Sequence, residues 1–221
     1  MPDTALPAVH LPKGRRVGLM GGSFDPVHVA HVQLARTALT ALQLDEVRWL
    51  PAGQPWQKVG HTARRMTDAL HRLAMVRLAT AGEPRFVVDT LELDRSGPTY
   101  TLETLDALQQ AHPQVTEWCL VIGQDQYTRF HTWHGWQHIL QRATLAVACR
   151  GDALPATPAP LQHHAHRWLP LPMPPSAISS TGIRAKLAAG NSAISLVPDC
   201  LDEAVARYIE HHQLYALSDT H

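Results

Sequence analysis

Short apolar runs that end in turn-forming residues alternate along this chain with stretches of helical periodicity. This alternation constrains the fold more than any other feature. Val17-Gly18-Leu19-Met20 runs into Gly21-Gly22, and Val47-Arg48-Trp49-Leu50 is stopped by Pro51. Phe86-Val87-Val88, Trp118–Ile122 (ending at Gly123) and Leu145–Cys149 follow. Each reads as a buried strand. Between them Val27, Leu34, Ala35, Ala38 and Leu42 recur at helical spacing, as do Leu70, Leu73, Ala74 and Leu78 within 68–81. Residues 100–111 form a third helical stretch, with Pro113 beyond its end. Strand and helix in alternation predict an α/β fold with a doubly wound parallel sheet. In such sheets ligands bind outside the carboxyl ends of the strands. The loops to search are therefore 21–31, 51–58, 89–101, 123–136 and the segment after 149.

The flanks are less regular. Residues 1–14 carry three prolines and predict a floppy tail, leaving 15–221 as a single domain. Residues 151–177 hold seven prolines and predict an irregular connection with a short strand at 167–169. Residues 178–221 then form a small C-terminal helical part, with helices near 180–189 and 200–212.

A chain of 221 residues can bury a sizeable core without a metal or disulfide. Lys+Arg and Asp+Glu are 19 each, so the basic excess of a nucleic-acid coat is missing. Only Lys13, Lys58 and Lys186 are lysines, which argues against a polybasic membrane patch. The three cysteines are odd in number and form no CxxC, which fits a reducing, cytoplasmic setting. The start of the chain lacks the pattern of a signal peptide, and no apolar run is long enough to span a membrane.

Two segments carry chemistry. The first is Gly21-Gly22-Ser23-Phe24-Asp25-Pro26-Val27-His28-Val29-Ala30-His31, at a strand-to-helix turn. Glycines let a ligand approach the backbone, and Pro26 suits a first helical turn. The free N–H groups of that turn favour an anion. His28 and His31, three apart, share a face and make a compact phosphate clamp. Each piece alone has a bland reading, an ordinary turn or a solvated face; together in eleven residues they point to phosphate. GxxxxGK[ST] and GxGxxG are both absent, as is a nucleophile elbow. The second segment is Ile178-Ser179-Ser180-Thr181-Gly182-Ile183-Arg184, a cluster of capping hydroxyls with an arginine one turn in.

These two segments resemble the paired GGxFDPxHxGH and ISSTxIR signatures of the HxGH nucleotidylyltransferases. Within that superfamily the chain is similar to the bacterial nicotinate-nucleotide adenylyltransferases. Asp89–Thr101 is similar to their DxExxRxGPSYT stretch, and Gly123-Gln124-Asp125 with Phe130-His131-Thr132-Trp133 is a further match. Weaker matches are 51–58 and 72–75. The resemblance spans about residues 15–216.

It implies a Rossmann-like fold and transfer of the adenylyl group of ATP to nicotinate mononucleotide, with deamido-NAD and pyrophosphate as products and Mg²⁺ accompanying ATP. The implied catalytic residues are His28, His31 and Arg184. The implied ATP site adds Gly21, Gly22, Ser23, Phe24, Ser180 and Thr181. Lys58, Thr101, Asp125 and Trp133 would hold nicotinate mononucleotide: Asp125 a ribose hydroxyl, Trp133 the pyridine face, Thr101 the carboxylate. No protein metal site is implied. Two alternatives stand beside this: adenylyl transfer to nicotinamide mononucleotide or another phosphate acceptor, and an ATP-binding module without catalysis. Neither a nucleic-acid polymer nor a membrane is expected as a partner, and both monomer and small homo-oligomer remain open.

Ala30 replaces the glycine of HxGH. Activity is expected to survive, because both histidines remain. Trp56-Gln57-Lys58 departs from the family's Pro-His-Lys or Pro-His-Arg, which weakens the assignment of Lys58. His131, His134 and His138 share helical spacing without a carboxylate beside them, and His163, His164 and His166 read as solvated.

Overall fold

The computed structural model describes residues 14–55, 66–150 and 155–216. In chain order the elements are β1 (Arg15–Gly22), α1 (Val29–Ala41), β2 (Glu46–Pro51), β3 (Gln54–Pro55), α2 (Ala69–Thr80), β4 (Phe86–Val88), β5 (Pro98–Thr99) and α3 (Thr101–Ala111). Then follow β6 (Val115–Gly123), α4 (Gln124–Thr128), α5 (Trp136–Arg142), β7 (Thr144–Arg150), α6 (Ala159–Gln162), β8 (Trp168–Met173), α7 (Ser180–Ala188) and α8 (Glu203–His211). The expected tail at 1–14 lies outside the described residues except for Gly14, and so do residues 56–65 and the start of the proline-rich connection.

Six strands form one sheet in the order β4-β2-β1-β6-β7-β8, and every pairing is parallel. The order runs outward in both directions from β1 and β6, the mark of a doubly wound sheet. Its switch point lies between those two strands. The alternation in β6 shows why both faces are covered. Trp118, Leu120 and Ile122 enter one core cluster, and Cys119 and Val121 enter the other. Gly18 of β1 faces the second cluster, where a Cβ would sit 2.8 Å from Leu44 Cδ1. A side chain there would displace Leu44, which follows α1, and crowd Val47 of β2. Truncating a fully buried residue such as Leu145 would cost about 2–5 kcal/mol.

The predicted strands are all present, but several expectations need correction. Helix α1 starts at Val29, with His28 as its N-cap, so Pro26 precedes the helix instead of opening it. The stripe Leu70, Leu73, Ala74, Leu78 does not point inward as a unit: Leu70 is 74% exposed, and α2 buries Arg72, Leu73, Met75, Val76 and Thr80. Arg72 sets this phase, because its guanidinium binds carbonyls at the strand ends. The short strand expected at 167–169 is a full edge strand, Trp168–Met173, holding Pro170 and Pro172. An edge tolerates proline because one side of the strand needs no N–H donor. Loops 51–58 and 89–101 contribute the two-stranded sheet of β3 and β5. The last helix begins at Glu203, not near 200. His166 is half-buried and hydrogen-bonded to the Tyr127 hydroxyl (3.1 Å), so it is not simply solvated. No helix among the described residues is long and apolar enough to cross a membrane.

Candidate active site

A cavity of about 470 Å³ opens at the carboxyl ends of β1 and β6, at the switch point of the sheet. Gly21 leads into it. A Cβ built on Gly21 would meet nothing within 4 Å, so the missing side chain is space left for a ligand. Phe24 follows with φ 45°, in the left-handed region that is costly for a bulky residue. Packing holds it there: its ring is buried against Trp49 at 5.4 Å and meets His31 edge-on at 5.2 Å.

His28 and His31 both line the cavity, and their rings stack at 3.6 Å. The His28 N–H donates to His31 Nδ1 at 3.2 Å, so a neutral His31 carries its proton on Nε2. His28 Nδ1 is buried without a hydrogen-bond partner. Burial lowers the His28 pKa to about 4. Burial, and then the charge of His28, pull His31 well below its usual value. Both rings are therefore neutral at pH 7 in the free protein. A polyphosphate entering the cavity would favour their protonated forms. The first turn of α1 is less open than the sequence suggests: Val29 N–H donates to the Cys200 carbonyl and His31 N–H to that of His28. The imidazoles, more than a ring of free amides, face the ligand space.

The second signature segment docks directly on the first. Ser180, at the start of α7, donates its hydroxyl to the Pro26 carbonyl at 2.8 Å, and Arg184 Nη1 donates to the Asp25 carbonyl at 2.5 Å. Arg184 Nη2 reaches Thr181 Oγ1 at 3.3 Å. Ser179 caps α7 by accepting from the Gly182 N–H. Ser180 lines the cavity, whereas Thr181 and Arg184, both expected at the ATP site, are not among the residues that line it. The remaining predicted residues Gly22, Ser23, Thr101, Asp125 and Trp133 also line it, as does Ala30. Asp125 is exposed, and Trp133 is half-buried with its ring 5.1 Å from that of Phe130. Lys58 lies outside the described residues.

Sequence reasoning passed over the supports beneath this site. Arg72 is 1% exposed, and its guanidinium donates to the carbonyls of Ser23 and Thr67 at 2.9 Å and of Gly53 at 3.5 Å. It ties the β1 turn to the loop after β2. The Asp25 carboxylate accepts from the Tyr215 hydroxyl at 2.8 Å and from the Thr67 N–H at 3.4 Å. Glu92, Thr99 and Thr104 form a buried polar group on the cavity wall. Helix α2 also carries His71 and Arg77, so its sequence does not single out Arg72. Nothing in the sequence pairs Tyr215 with Asp25. Among the described residues, no group of three or more His, Cys, Asp or Glu is placed to hold a metal ion.

A glycine turn with paired neutral imidazoles, opening into a cavity at the switch point of a doubly wound sheet, has the architecture of the α/β nucleotidylyltransferase class. A cytidylyltransferase-like family model matches residues 19–186. A probable nicotinate-nucleotide adenylyltransferase of Methylibium petroleiphilum is 51% identical over 202 residues, covering 91% of this chain and 93% of its own. One from Bordetella petrii is 45% identical over 205 residues, covering 91% and 99%. The chain belongs to the nicotinate-nucleotide adenylyltransferase family. In three dimensions it is similar to the Plasmodium falciparum nicotinic acid mononucleotide adenylyltransferase complexed with NaAD, with a TM-score of 0.74 over 91% of this chain and 97% of that one. At 18% identity, that likeness speaks for the fold alone.

Proposed function

We infer that the protein transfers the adenylyl group of ATP to nicotinate mononucleotide, forming deamido-NAD and pyrophosphate in NAD biosynthesis. One observation carries the reading: the Gly21–His31 turn and the start of α7 meet, through Ser180–Pro26 and Arg184–Asp25, at the mouth of one cavity. The relatives that share nearly all of this chain bear the same name.

In the reaction, an oxygen of the acceptor 5′-phosphate attacks the α-phosphorus of ATP. The bond from that phosphorus to the bridging oxygen breaks, and pyrophosphate leaves. Such transfer needs positioning and charge stabilisation more than covalent help. Gly21, Gly22, Ser23 and Phe24 line the nucleotide cleft. His28 and His31 bind the phosphates and stabilise charge developing at the transferred group. Ser180 and Thr181 hold the far side. Among the described residues Arg184 donates to the Asp25 carbonyl and to Thr181, and its other guanidinium N–H groups would serve a phosphate oxygen. Asp125 takes a ribose hydroxyl, Trp133 stacks on the pyridine, and Thr101 with neighbouring N–H groups receives the carboxylate. Lys58 remains a candidate for the acceptor phosphate. Mg²⁺ enters as part of the ATP substrate, held by phosphate oxygens and water. Ala30 at the cavity wall is compatible with turnover, since both histidines keep their places. Three free thiols fit a cytoplasmic location.

The experiment is product analysis with ATP, Mg²⁺ and nicotinate mononucleotide. Dinucleotide and pyrophosphate should appear in equal amounts. Because no covalent intermediate is involved, labelled pyrophosphate should exchange into ATP only when acceptor or dinucleotide is present. Exchange with ATP alone would contradict the direct transfer, and ATP binding without any product would favour a non-catalytic module.

A further inference from the structure

We propose that Glu92 is a positioning residue that fixes the start of α3 and thereby sets the preference for an acid over an amide on the acceptor's pyridine ring. The proposal rests on the function inferred above and deepens it.

Glu92 lines the cavity but is only 8% exposed, an unusual setting for a carboxyl group. Its Oε1 accepts from the Thr104 hydroxyl at 3.0 Å, and the Thr99 side chain, buried on the same cavity wall, favours its ionised form. Thr99 ends β5, and Thr104 sits one turn inside α3, so the two threonines bracket Thr101. Arg95 Nη1 donates to Thr104 Oγ1 and pairs with Glu103, both at 3.3 Å, closing the network from behind. The backbone of Glu92 is wedged in place: a Cβ on Gly53 would lie 2.3 Å from its carbonyl oxygen. Burial pushes the Glu92 carboxyl above its ordinary range, while Thr104 and Arg95 pull the other way.

The start of α3 has no side-chain cap from Tyr100. Its first N–H groups have no acceptor within the helix, and Thr101 faces the cavity. A pyridine carboxylate offers those donors two acceptor oxygens. A carboxamide offers one, and sets an NH₂ against the other donor. Discrimination of this kind depends on where the donors point, and Glu92 anchors the segments on both sides of them. Without Glu92 the Thr104 hydroxyl loses its acceptor, and Thr99 loses its buried polar neighbour. The helix start then loosens, and the acid loses more than the amide.

The test is steady-state kinetics with nicotinate and nicotinamide mononucleotides on wild type, Glu92→Ala, Glu92→Gln and Thr104→Val. Glu92→Ala should raise KM for the acid roughly tenfold and leave KM for ATP within about twofold. Its acid-to-amide ratio of kcat/KM should fall roughly tenfold. Glu92→Gln keeps an acceptor oxygen for Thr104 and should recover most of the loss. Thr104→Val removes the hydroxyl at constant shape and should move the ratio the same way, which keeps the proposal testable if Glu92→Ala does not fold. An unchanged ratio in both Glu92→Ala and Thr104→Val, or a parallel rise in both KM values, would overturn the role of Glu92 alone. A wild-type protein inactive with both acceptors would overturn the parent function, and this role with it.

Discussion

The hydroxyl of Ser180 donates to the carbonyl of Pro26 at 2.8 Å, joining segments 154 residues apart in the chain. Four separate C-terminal groups converge on the turn after β1: Ser180, Arg184, the Cys200 carbonyl and Tyr215. The turn that opens into the cavity is thus held from both ends of the domain.

Removing one of these ties should loosen the turn. Tyr215→Phe strips a buried hydroxyl from the Asp25 carboxylate. A hydrogen bond to a charged group contributes about 1.5–3 kcal/mol. Chemical denaturation should show a loss of that order, with KM for ATP rising as well. Unchanged stability would mean that water replaces the hydroxyl without cost.

Gly21→Ala separates folding from binding. An added methyl meets no protein atom, so the melting temperature should stay within a few degrees of wild type. The methyl enters the space assigned to the nucleotide, and kcat/KM for ATP should fall on the order of 10²-fold. Unaltered kinetics would place the nucleotide elsewhere.

The paired imidazoles make a prediction about protons. His28 titrates at about 4 when folded and at 6.5 when exposed. As pH falls, the unfolded chain takes up its proton first. Stability that is full above pH 6.5 is therefore lost between 6.5 and 4, by about 3 kcal/mol for this group. His28→Ala should flatten that part of the pH–stability curve. Polyphosphate reverses the shift, so ATP binding near pH 6 should be coupled to proton uptake. Calorimetry in buffers of different ionisation enthalpy measures this, and binding heat independent of buffer would contradict it.

Ala30→Gly restores the glycine common in the family's motif. In the first turn of α1 it should destabilise by up to about 1 kcal/mol. Because Ala30 only borders the cavity, kcat/KM should change by no more than a few-fold, read in the same assay.

Much of this was legible in the sequence. The apolar runs of β1, β2, β4, β6 and β7 have the lengths and flanking turns of buried strands, and the Gly21–His31 segment announces its chemistry by composition. What escaped depends on tertiary context. Trp168–Met173 forms a strand despite two prolines because it lies at an edge. Helix α2 turns Leu70 outward because Arg72 must reach three carbonyls. The bond between Tyr215 and Asp25 spans 190 residues and leaves no local trace. The neutrality of His28 and His31 follows from burial and, for His31, from the nearby charge of His28, which spacing does not encode.

The central claim is that the β1 turn and the start of α7 together cradle the phosphates of ATP while it is attacked by nicotinate mononucleotide. The most direct measurement is pyrophosphate release from ATP with a panel of acceptors: nicotinate mononucleotide, nicotinamide mononucleotide and phosphopantetheine, for wild type and His28→Ala. Nicotinate mononucleotide should have the highest kcat/KM, and His28→Ala should lower it by roughly 10²–10³-fold. A higher kcat/KM for another acceptor, or near-normal turnover in His28→Ala, would contradict the claim.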